Sequence, residues 1–127
     1  MTTEATAGNE TQQMVIETAA RLFAAHATRE VINDFEKGTW PTDLWRRVEE
    51  AGLHWAAVPE CAGGAGGGIA DLAAVLREAG RYAVPLPLAE TGLGAMIVAQ
   101  ADLSPRRGRW HWSSPMPARP YALLAAR

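Results

Sequence analysis

The sequence predicts an all-α domain, a small bundle of four to five helices followed by a disordered or irregular basic C-terminal tail. Apolar residues recur at the helical period in several windows, and glycine and proline stand where those windows begin and end. No segment alternates apolar and polar residues as a half-buried strand does. A chain of 127 residues holds one domain with a modest core.

The first helix is expected from about Glu10, with Val15, Ala19, Leu22, Phe23 and His26 on one face. Thr28 is placed to cap a short second helix whose apolar side is Val31, Ile32 and Phe35, ending near Gly38. Pro41 suits the first turn of a third helix, where its missing N–H costs nothing. That helix carries Leu44, Trp45 and Val48, and Gly52 supplies its left-handed stop. The apolar stretch Leu53 to Val58 is too brief to tell strand from turn. A glycine-rich loop, 59–68, leads into a fourth helix with Ile69, Leu72, Ala73, Leu76, Ala79 and Gly80 on one face and Asp71 at its positive end. Beyond the proline-rich link 84–87, a last helix over about 88–101 is apolar nearly all round and is expected to be central.

Charge divides the chain. Residues 1–103 hold all 14 acidic and 7 of the 12 basic residues, a net charge of −7. Residues 104–127 hold five arginines and no acid. The expected organisation is therefore a disordered start over 1–9, a helical domain over 10–103 and an irregular basic tail over 104–127. A folded part at −7 repels nucleic acid, and no apolar run approaches the roughly 20 residues that span a bilayer. One cysteine, Cys61, excludes an internal disulfide and suits a reducing compartment, and the polar start carrying Glu4 and Glu10 is no signal peptide. These features make the cytoplasm the expected location.

Five motifs stand in order along residues 40–81: Trp40-Pro41 with Leu44-Trp45, Glu50-Ala51-Gly52-Leu53, Val58-Pro59-Glu60, Gly63-Gly64, and Leu76-Arg77-Glu78-Ala79-Gly80-Arg81. Together with the Pro-Leu-Pro-Leu-Ala-Glu segment that follows, this order resembles the N-terminal helical domain of the acyl-CoA dehydrogenases, over roughly residues 10–103. Cys61-Ala62 departs from the pattern, which more usually has an acidic residue and an aromatic there. The resemblance implies an enzyme of three domains: this helical one, a β-barrel, and a second helical bundle that builds a tetramer. FAD would sit mainly between the second and third domains, and acyl-CoA would be the substrate. A glutamate of the third domain would take a proton beside the thioester carbonyl while flavin takes the hydride. Glu60 and Glu90 do not match the motif of that base. The resemblance implies instead that the helix over 88–101 walls the acyl pocket, with Glu90 and Gly94 as the substrate-pocket residues. The isolated chain is expected to have no catalytic or cofactor-binding residue, to be colourless and to be inactive. A flavin-carrying partner chain would be one source of the remaining domains.

Other candidate sites are weaker. The run Gly63-Gly64-Ala65-Gly66-Gly67-Gly68 lacks the G-x-G-x-x-G register and any following Lys-Ser/Thr, so a plain flexible loop is preferred to a phosphate cradle. Glu90 also reads as a first-turn carboxylate favoured by the helix dipole. His26, His54 and His111 stand apart without companions at ligand spacing, which argues against a metal site. Trp40, Trp45 and Trp55 are expected as core or interface aromatics. A rival reading takes residues 16–24 as the opening helix of a tetracycline-repressor-type DNA-binding domain. The next segment, Asn33-Asp34-Phe35-Glu36, lacks the basic recognition helix that reading requires.

The tail has four prolines and the triplet Trp110-His111-Trp112. It reads as a basic aromatic arm, as a disordered terminus, or as a shifted reading frame. Back-translation speaks for the third. Read from the third codon base, residues 109–112 spell Leu, Val or Met, then Ala, then Leu, whatever codons were used. That frame continues through Val, an aliphatic residue or Phe, a small residue or Pro, a codon that can be Asp, and Ala, as an entry into a β-domain would.

Overall fold

The structure is a computed structural model that describes the backbone of residues 2–101 and the side chains from Gly8 onward. Among these residues are five α-helices and no strand: α1 (Thr2–His26), α2 (Arg29–Glu36), α3 (Thr42–Glu50), α4 (Ile69–Arg81) and α5 (Leu88–Gln100). Two 3-10 turns, Leu53–Trp55 and Glu60–Ala62, join α3 to α4. The tail, including the triplet at 110–112 and His111, lies outside the described residues.

Helix α1 begins at Thr2, ahead of the expected start at Glu10, so the segment 1–9 expected to be disordered is helical from Thr2. No proline interrupts it, and each residue added to an existing helix gains a backbone hydrogen bond without a new nucleation cost. Its inward face is the expected one. Ala19 and Phe23 are fully buried, with Val15 and Leu22 packed beside them. This face lies along α4, the most extensive helix pairing in the domain. Burying a side chain the size of Phe23 contributes roughly 1.5–3 kcal/mol.

Helix ends follow local chemistry. Thr28 caps α2, its Oγ1 accepting from the Val31 N–H at 3.4 Å. Gly38, with φ +98°, ends α2: its N–H bonds the Phe35 carbonyl, and the Thr39 N–H bonds that of Asp34. Gly52, with φ +71°, ends α3 in the same left-handed way. Pro41 sits one place earlier than expected, as the N-cap of α3 rather than inside its first turn. Helix α4 ends in a third such motif, in which Ala83 takes the left-handed position at φ +51°, the Ala83 N–H bonds Gly80 and the Val84 N–H bonds Ala79.

The core gathers Ala19, Phe23, Val48, Leu53, Ala56, Val75, Ala79 and Leu88. The stretch Leu53 to Val58 is a 3-10 turn and its exit, and most of its side chains are buried. It becomes the floor on which α5 rests. Two sequence-derived faces are corrected. On α4 the buried stripe is Leu72, Val75, Glu78 and Ala79, while Ile69 is 57% exposed and Ala73 and Gly80 also face out. The stripe is rotated because α1 covers the Val75 side. Helix α5, expected to be central, buries only Leu88 and Gly92. One side of it meets α4 and the 3-10 turn, and no described element covers the other.

Candidate functional site

The uncovered side of α5 is a single stripe. Glu90, Leu93, Gly94 and Ile97 stand at i, i+3, i+4 and i+7, which places them on one helix face, and all four are exposed. Leu93 is 46% and Ile97 67% exposed, high values for large apolar side chains. A side chain added at Gly94 would meet nothing within 4 Å. Glu90 lies in the first turn of α5, where the helix dipole favours a carboxylate. The two residues expected at the pocket thus share a face. Sequence reasoning missed Leu93 and Ile97 as their companions, although the i, i+3, i+4, i+7 spacing from Glu90 was there to be read.

The opposite side of α5 is close-packed. A Cβ on buried Gly92 would stand 2.6 Å from Leu72 Cδ1 and 3.0 Å from its Cδ2. The Thr91 hydroxyl donates to the Pro87 carbonyl at 2.7 Å, tying down a first turn that has no side-chain cap.

The glycine loop is folded against the chain that precedes it. The Gly64 N–H bonds the Pro59 carbonyl, Ala65 that of Trp55, and Gly66 that of Val58. The Gly68 N–H donates to Asp71 Oδ2 at 2.9 Å, so the acid at the start of α4 satisfies the loop's own backbone. A Cβ at Gly64 or Gly67 would overlap the carbonyl of Val58 or Ala56. Four of the loop's N–H groups thus bind within the chain itself, and Gly64 and Gly67 are required by close approach. Cys61 is exposed on the 3-10 turn that opens this loop.

The tryptophans do come together. Trp40 and Trp45 have ring centroids 6.1 Å apart, His54 meets Trp45 edge-on at 6.0 Å, and His54 stacks on Trp55 at 5.0 Å. Burial pushes the His54 imidazole down to about 4, against the opposing pull of the Val48 carbonyl, so the ring is neutral at pH 7. Its Nδ1 has no hydrogen-bond partner. Among the described residues no group of three metal-ligating side chains converges. No described helix is long and apolar enough to cross a membrane.

One buried acid escaped the sequence reading as a point of interest. Glu78 is 6% exposed, and among the described residues its Oε2 has no hydrogen-bond partner and its nearest cation is Arg81 at 3.9 Å, on the exposed side of α4. The amphipathic pattern gave no signal, because Glu78 lay outside the stripe read from Ile69.

Residues 9–103 match the family described as "Acyl-CoA dehydrogenase, N-terminal domain". The chain is 40% identical over 108 residues to "Acyl-CoA dehydrogenase FadE34" of Mycobacterium tuberculosis, an overlap covering 81% of this chain and 15% of that protein. It is 40% identical over 94 residues to "Acyl-CoA dehydrogenase IpdE2" of Mycolicibacterium smegmatis, covering 71% of this chain and 30% of that protein. The Mycobacterium tuberculosis IpdE2 is 38% identical over 96 residues, covering 72% and 30%. No solved structure gives a significant match. The chain belongs to the acyl-CoA dehydrogenase family, in which it corresponds to the N-terminal helical domain. It spans 15–30% of the length of these curated relatives.

Proposed function

We propose that this chain supplies the helical wall of the acyl pocket in an FAD-dependent acyl-CoA dehydrogenase, which desaturates an acyl thioester between its α and β carbons. The observation that carries this is the uncovered stripe on α5. Leu93 and Ile97 offer an apolar wall to an alkyl chain, Gly94 leaves room for it, and Glu90 stands at the polar end. Flavin and the base that takes the α proton are assigned to the family's other two domains. In the glycine loop the Gly64, Ala65, Gly66 and Gly68 N–H groups are bound to Pro59, Trp55, Val58 and Asp71, which argues against a phosphate cradle there.

By itself the 127-residue chain then holds no flavin and turns over no acyl-CoA. An absorbance spectrum of the purified protein should lack a flavin band, and an acyl-CoA desaturation assay with an artificial electron acceptor should read background. A yellow, active preparation overturns the proposal. The proposal leaves the family's other domains to a second chain or to continuation of the same gene in the frame read at residues 109–112. Co-purification with a flavoprotein selects the first. Sequencing the genomic DNA beyond residue 103 and finding an open flavin-binding domain selects the second.

A further inference from the structure

Gly92 and the acyl-facing stripe lie on opposite sides of α5. At 100° per residue, Glu90, Leu93, Gly94 and Ile97 centre about 150° round the helix from Gly92. Gly92 rests on the end carbons of Leu72 of α4, and Leu72 is itself fully buried in a close-packed core. A side chain added at position 92 must displace either the Leu72 side chain or α5 itself, and movement of α5 away from α4 carries the whole stripe outward.

We infer that Gly92 is a positioning residue for substrate: its contact with Leu72 sets how far the Glu90–Leu93–Gly94–Ile97 face stands from the core, and so the depth left for the acyl chain. Gly92 touches no substrate. It acts through the helix, and a larger residue there shortens the pocket from behind. The inference rests on the reading of α5 as acyl-facing.

The test uses the 127-residue protein with methyl-labelled Leu and Ile, titrated with butyryl-CoA, octanoyl-CoA and palmitoyl-CoA and read at the Leu93 and Ile97 methyl resonances. Three proteins are compared: the parent, Gly92→Ala, and Gly92→Ala with Leu72→Val. The pair conserves volume, since one methyl is added and one methylene removed. The parent should respond to all three ligands. Gly92→Ala should weaken palmitoyl-CoA roughly tenfold relative to butyryl-CoA, the scale of one methylene in a pocket, and the double variant should recover the parent's length profile. Circular dichroism confirms that each variant is folded; should the single variant unfold, the folded double variant must still match the parent's profile, and a changed profile there overturns the inference. A parent that responds to no acyl-CoA removes the acyl-facing reading and this inference with it. A parent that responds, with a folded Gly92→Ala of identical length profile, overturns this inference alone.

Discussion

Gly64 lies so close to Val58 that a Cβ built on it would overlap the Val58 carbonyl oxygen and the Val58 Cβ. This contact, more than any mobility, explains the glycine run. The chain doubles back under its own 3-10 turn, and only a residue without a side chain fits between.

The first prediction contrasts two glycines. Gly64→Ala meets backbone that cannot give way and should destabilise the domain by about 1–3 kcal/mol, the usual cost of overpacking. Gly80→Ala meets nothing within 4 Å, inside a regular helix, and should stabilise by about 0.5–1 kcal/mol. Urea unfolding of the two variants beside the parent measures both, and equal effects would refute the packing account.

Ala83 pays the left-handed strain that Gly38 and Gly52 avoid at the ends of α2 and α3. Its side chain is exposed, so little packing is lost by removing it. Ala83→Gly should raise stability by about 1 kcal/mol, a gain of roughly 4–8 °C in melting temperature for a domain of this size. A lower melting temperature would show that the Schellman geometry of α4 is not retained in solution.

His54 makes stability depend on pH. Its folded value of about 4 lies below the ordinary 6.5, so between those values the unfolded chain binds the proton and the folded chain does not. Its contribution is whole above pH 6.5 and is lost as pH falls from there to about 4. His54→Phe keeps a ring against Trp55 and removes the proton site. Melting temperatures across pH 4–7 should fall less steeply for that variant than for the parent; parallel curves would rule His54 out as the titrating group.

Glu78 is buried with one oxygen unpartnered among the described residues, and Arg81 at 3.9 Å is too exposed and too distant to offset the desolvation. Glu78→Leu, which suits the surrounding stripe of Leu72, Val75 and Ala79, should be neutral or stabilise by about 1 kcal/mol. Arg81→Ala should change stability by less than about 1 kcal/mol. A large loss in Glu78→Leu would reveal a native partner for the carboxylate.

What the sequence determined by itself is local. The cap at Thr28, the stops at Gly38 and Gly52 and the inward face of α1 depend on residues within a few turns of each other. Their physics is complete over that distance: a hydroxyl reaches a free N–H, and a glycine takes a positive φ. Tertiary structure decided what depends on distant partners. Val75 shares the core with Ala19 and Phe23 of α1, and Glu78 is buried beside it although its charge predicts exposure. Helix α5 is apolar on every side, so its sequence names no buried face. Gly92 against Leu72 selects one, and that choice leaves Glu90, Leu93, Gly94 and Ile97 uncovered. The glycine loop read as slack because glycine has no preferred partner in sequence, and only the carbonyls of Ala56 and Val58 pressing on it show why glycine stands there.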